Sequence, residues 1–154
     1  MLSIEIANRQ NLLTLDTRRL EQAAQAILRD AGITSAELSI ALVDDAAIHQ
    51  LNRQYLEHDN PTDVLSFVLE REQGHLDGEV IVSTETAVRS ARQFGWAAED
   101  ELLLYVIHGT LHLVGHDDLE LEQQTAIRAA ERRYLALFGL LPHESTGDTP
   151  SDTR

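Results

Sequence analysis

The chain has no cysteine in its 154 residues, so it can form neither a disulfide nor a thiolate metal site. Any metal it binds must be held by imidazole and carboxylate. Lysine is absent as well: all 12 basic residues are arginine, set against 26 carboxylates, for a net charge of −14. Non-specific nucleic-acid binding calls for the opposite sign. An RNA substrate would therefore have to be drawn by a local arginine cluster. No stretch approaches the length that crosses a bilayer, and the opening residues Met1-Leu2-Ser3-Ile4-Glu5-Ile6 lack the pattern of a signal peptide. A cytoplasmic location with no membrane partner is the expectation.

What is present is an ordinary globular composition, 43% apolar and 25% charged. Residues 1–141 are expected to form one domain, followed by a polar, disordered tail over 142–154. Alternation marks a short strand over 2–7, and Asp16 or Thr17 caps a helix running to about residue 30. A buried strand over 38–43 precedes a helix capped by Asp44 or Asp45. A polar loop from His58 to Asp63 leads into strands over 64–69 and 79–83, joined by a turn around Gln73-Gly74-His75. Ser83 or Thr84 starts a helix that Gly95 ends. The most apolar helix covers 98–114 and stops at Gly115, and an amphipathic helix over 119–138 stops at Gly139. The pattern predicts an α+β fold: a small mixed four-stranded sheet packed with about five helices.

The chemistry concentrates in His108-Gly109-Thr110-Leu111-His112-Leu113-Val114-Gly115-His116-Asp117-Asp118. Positions 108 and 112 lie one turn apart on one helix face, so both imidazoles can reach one ion. Gly115 can leave the helix sharply and bring a third ligand back toward them. Asp118 is favoured for that role over His116 and Asp117, although it could equally cap the last helix. Two imidazoles and one carboxylate leave a position open for water, the pattern of a catalytic zinc site at the C-terminal end of a central apolar helix. Zinc peptidases of this spacing carry glutamate beside the first histidine as general base. Gly109 stands there, which argues against peptide hydrolysis. Zinc fits the ligand types best; nickel or manganese would also accept them.

Two blocks resemble the YbeY family of bacterial metal-dependent endoribonucleases: Leu51-Asn52 through Tyr55 with Asp59 to Phe67, and His108 to Asp118. The strand Gly78 to Ser83 also fits, and the likeness spans about residues 36–138. The resemblance implies an α+β fold with a zinc-like ion in a cleft. It also implies action on single-stranded RNA, with maturation of the small-subunit ribosomal RNA 3′ end, ribosome quality control and the small ribosomal subunit as partner. Two departures stand out. The family's third histidine is Asp118 here, and its arginine after Tyr55 is Leu56, which cannot hold a phosphate.

Arg53, one helical turn earlier, is the candidate to replace that guanidinium. Arg89 and Arg92 could form a basic strip. Asp63 and Ser66 border the cleft in the family block, and Thr110 and His116 are near enough in sequence to assist proton transfer. His58 and His75 are expected on surface loops. The alternative function is a ribosome-associated factor whose metal is structural.

Overall fold

The computed structural model describes residues 1–56, 63–117 and 119–141, without the side chains of residues 54–56. Residues 57–62, on which most of the expected polar loop falls, Asp118 and residues 142–154, where a disordered tail is expected, therefore lie outside the described residues. Among the described residues four strands form one sheet: β1 (Leu2–Asn8), β2 (Ser35–Val43), β3 (Val64–Glu72) and β4 (His75–Ser83). Their order is β1-β2-β4-β3. β1 runs parallel to β2, and β2 parallel to β4, while β3 pairs antiparallel to β4 with a bulge between Val68 and Glu70. Among the described residues five helices are interspersed: α1 (Arg18–Asp30), α2 (Asp45–Leu56), α3 (Thr84–Phe94), α4 (Ala98–Leu113) and α5 (Leu121–Ala136). The expected mixed α+β architecture is the one observed.

Strand alternation divides the sheet's residues between two faces. Leu38, Ile40, Leu42, Leu76, Val80 and Val82 face α1 and α4 in the main core. Val43, Leu65 and Ile81 face the other way and meet Ile48 of α2 in a smaller cluster. α4 is the central helix. Leu102, Leu103, Val106 and Ile107 are fully buried, with Leu111 and Leu113 nearly so. That explains why the helix reads as apolar almost all round: α1, α3, α5 and the sheet all pack against it. Among the described residues no helix is long and apolar enough to cross a membrane.

All four strands extend beyond their expected ends, β1 to residue 8, β2 from 35, β3 to 72 and β4 from 75. The added parts carry Ser35, Glu37, His75, Asp77 and Glu70-Arg71-Glu72, whose polarity hides the strand pattern. His75 is thus a half-buried strand residue rather than a loop residue: Ser35 Oγ lies 2.8 Å from its Nδ1 and Asp77 Oδ1 2.8 Å from its Nε2. The last helix is also shorter than expected. Glu120 is its N-cap, paired with Gln123 in a reciprocal capping box. The N-cap position of α5 thus belongs to Glu120.

Both aspartates at the start of α2 act, in different ways. Asp44 Oδ1 accepts from the Ala47 amide at 2.8 Å, capping α2. Asp45 instead locks α2 to α3, accepting from Ser83 Oγ at 2.5 Å, Thr86 Oγ1 at 2.7 Å and Arg89 Nη1 at 2.7 Å. Partial burial pushes the Asp45 carboxyl up, but the bonds from Ser83, Thr86 and Arg89 outweigh it and hold the group below its ordinary value. A lowered folded value means stability that is present above the unfolded carboxylate pKa and lost as pH falls through the folded one. Asp45→Ala should lower unfolding free energy by about 2 kcal/mol at pH 7. Urea melts should show that difference closing below pH ~4; a constant difference at every pH would contradict the account.

Candidate metal centre

His108 and His112 project from the last two turns of α4. Their Nε2 atoms stand 3.0 Å apart and the rings meet edge to face, centroids 4.6 Å apart. Two nitrogens so close either share a proton or face one ion. Around a tetrahedral zinc with bonds of about 2.0–2.1 Å, two ligand nitrogens stand about 3.3 Å apart, so the observed pair fits with a shift of a few tenths of an ångström. The C-terminal end of a helix also favours positive charge. Arg71 of β3 answers part of that field, donating to the Leu113 carbonyl at 3.3 Å.

Behind His108 stands a residue that the sequence reading missed. Glu131 of α5 places Oε2 2.5 Å from His108 Nδ1, and the two side chains are only 15% and 9% exposed. A carboxylate accepts only, so in the neutral ring Nδ1 carries the hydrogen and Nε2 keeps its lone pair toward His112. One signal was available. Ile127, Glu131, Tyr134 and Leu135 fall at i, i+4, i+7 and i+8, which puts a carboxylate in the buried stripe of an amphipathic helix.

Local structure fixes this face of α4. The Gly109 Cα lies against the sheet: a Cβ there would come within 2.7 Å of Val80 Cγ1 and 3.0 Å of Val64 Cγ2. Ser66 Oγ donates to the Gly109 carbonyl at 2.9 Å. Ser66 thus secures the helix carrying the histidines. Position 109 points into the core, so a glutamate there could not serve the site. Gly115, with φ of 113°, turns the chain out of α4, and the His116 amide bonds back to the Leu111 carbonyl.

The turn brings Asp117 to 4.0 Å from His112, but on the Nδ1 side of the ring. That is not the side where the two Nε2 atoms converge, so Asp117 is placed poorly for a third ligand. His116 is half-buried, and Asp118 lies outside the described residues. The Thr110 hydroxyl is fully buried and donates to the Val106 carbonyl at 2.7 Å. It is committed within the helix and unavailable for proton transfer.

Arg53 lies on the exposed outer side of α2, lining a shallow depression with Ala46, His49 and Gln50. Arg89 bonds to Asp45 and Thr86 while its side chain stays 58% exposed, and Arg92 is exposed on the same helix. Asp63 sits close enough to Tyr105 that its charge, after burial itself, helps push that phenol up. The side chain of Leu56 and residue His58 lie outside the described residues.

A second group could hold a cation. Glu70, His75 and Asp77 bring one ligand atom each within 4.8 Å of one another at the β3–β4 hairpin. A hydrogen bond shared with Glu72, with the charge of Asp77 adding to it, holds the Glu70 carboxyl above its ordinary value. This group sits on the sheet face away from α4, and both nitrogens of its single imidazole already have protein partners. The paired imidazoles of α4 are the better-built site.

A mixed α+β domain with two imidazoles converging at the end of a buried helix, one of them backed by a carboxylate, defines a class of fold with a candidate histidine-based metal site. Comparison with known proteins narrows the class. A family model described as endoribonuclease YbeY matches residues 5–139, and the chain belongs to that family of hydrolytic endoribonucleases. Proteins named endoribonuclease YbeY are similar to it. That of Rhodopirellula baltica is 43% identical over 88% of this chain and 72% of the relative. That of Syntrophotalea carbinolica is 40% identical over 92% and 97%. The solution structure of TM1509 from Thermotoga maritima matches with a TM-score of 0.59 at 28% identity, covering 88% of this chain and 87% of that one.

Proposed function

We propose that this chain is a zinc-dependent, single-strand-specific endoribonuclease of the cytoplasm. Its proposed work is maturation of the small-subunit ribosomal RNA 3′ end and ribosome quality control. The observation that carries the metal part is the convergence of the His108 and His112 Nε2 atoms at 3.0 Å. The endoribonuclease names of the relatives support the reaction class. His108, His112 and Asp118 are the proposed ligands. An ion held there supplies Lewis-acid polarisation of a phosphodiester and lowers the pKa of water.

The chain's own residues do the rest. Glu131 accepts from His108 Nδ1, while Ser66 and Gly109 seat α4 on the sheet so that both rings keep their relative placement. With Thr110 committed to the Val106 carbonyl, proton transfer falls to the RNA, to solvent or to His116. Arg53 is the proposed phosphate-binding guanidinium in place of the arginine lost at Leu56. A net charge of −14 repels RNA at long range, so such local contacts matter more here than in a basic nuclease. That same charge, with Leu56, favours the second reading, a ribosome-associated factor whose metal is structural.

Elemental analysis and cleavage of matched single-stranded and duplex RNA separate the two. The expected result is one zinc per chain, cleavage of the single strand only, loss with a chelator and recovery with zinc. RNA extended beyond the mature 3′ end should be trimmed. Arg53→Ala should cut kcat/KM about tenfold with zinc content unchanged. Stoichiometric zinc with no metal-dependent cleavage would leave the structural reading, and no bound metal would overturn both.

A further inference from the structure

We infer that Glu131 is a positioning residue for the metal centre: it selects the His108 tautomer that presents Nε2 to the ion, and through that ring it couples α5 to metal binding. The inference rests on the metal reading above. His108 and Glu131 come from different helices, 23 positions apart, and meet at 2.5 Å with little exposure on either side. Among the described residues His108 is the polar partner of the Glu131 carboxylate, which sits beside buried Ile127, Tyr134 and Leu135. A carboxylate in such a place is costly unless it is bonded. Bonding it to Nδ1 fixes the ring's orientation and makes Nε2 the better donor to a metal.

Asp117 stands 4.0 Å from His112 Nδ1 and is 55% exposed, too far for a hydrogen bond. His108 is thus held in advance of binding by a carboxylate from a different helix. The clamp on His108 comes from α5, so zinc binding should tighten the packing of α5 on α4. A purely structural ion pair between the helices would make no such link.

The test measures zinc affinity by competition with a chromophoric chelator, reads the His108 tautomer from 15N-labelled protein by NMR, and follows Tm with and without zinc. The variants are Glu131→Gln, Glu131→Ala and His112→Ala. Glutamine keeps an accepting oxygen without the charge, so the tautomer should persist while affinity falls about tenfold. Alanine removes both, and affinity should fall about 10–100-fold with a mixed tautomer and a smaller zinc-induced rise in Tm. Unchanged zinc affinity in Glu131→Gln or Glu131→Ala, whatever happens to Tm, would overturn the inference. Glu131→Gln, nearly isosteric, decides the matter if the alanine variant does not fold. His112→Ala keeps the two failures apart. If it binds zinc like the wild type, the metal reading is wrong; if it loses zinc while both Glu131 variants keep theirs, only the role of Glu131 is.

Discussion

Gly109→Glu, the substitution that would complete the zinc-peptidase pattern beside His108, is expected to yield no soluble folded protein. The Cβ alone would lie 2.7 Å from Val80 Cγ1, 3.0 Å from Val64 Cγ2 and 3.1 Å from Ser66 Oγ. Val80 is fully buried and Val64 nearly so, both on strands that cannot move without disturbing the sheet. The rest of the side chain would drive a carboxylate between them, at several kcal/mol for a charge with no partner, out of a total stability on the order of 5–15 kcal/mol. Gly109→Ala separates steric from electrostatic cost. Overpacking should destabilise by about 1–3 kcal/mol, offset by up to ~1 kcal/mol of helix propensity. Thermal unfolding should therefore show a clear net loss for alanine. Wild-type stability in Gly109→Glu would mean that α4 does not sit on the sheet as described.

His112→Ala should lose stoichiometric zinc and lower RNA cleavage by more than about a hundredfold, beyond what loss of an outer-shell partner alone brings. It should also leave the fold standing. His112 is partly exposed, and the His108 ring that it meets keeps its bond to Glu131. His108→Ala is the less clean experiment, because it would leave the Glu131 carboxylate without its partner and add about 1–3 kcal/mol of destabilisation to any loss of metal. The third ligand can be sorted in the same assay. Asp118→Ala should release zinc, while Asp117→Asn and His116→Ala should retain it. Zinc retained in His112→Ala at full occupancy would remove the site from α4 altogether.

Much of this was legible from spacing. The histidine pair, the Gly115 exit and the apolar character of α4 all follow from residues close together in the chain, where helix periodicity converts sequence distance into spatial distance. Gly109 was legible only as a missing base. Its positive role, letting α4 touch Val64 and Val80, needs the register of two strands more than twenty residues upstream. Glu131 was harder still. It precedes Arg132-Arg133 in a charged helix, and that neighbourhood looks like a solvated face until α5 is seen against α4. The outer halves of β2 and β4 were lost for a related reason: α2 covers only the inner half of its sheet face, so Glu37, His75 and Asp77 could remain polar within regular strands. Thr110 shows the reverse error, since nearness to the histidines in sequence suggested a proton relay that its bond to Val106 forecloses.

The bulge between Val68 and Glu70 has a consequence for how the protein behaves in solution. β3 is an outer strand of the sheet and exposes Val68 and Leu69, at 49% and 69%, the kind of apolar edge on which a second chain can add a strand. The irregularity interrupts the ladder at that point, and Glu70-Arg71-Glu72 follows at once with charge. An incoming strand would meet a broken register and then like-charged carboxylates. The same local distortion that ends the sheet's regular pairing therefore guards a strongly acidic protein against edge-to-edge aggregation.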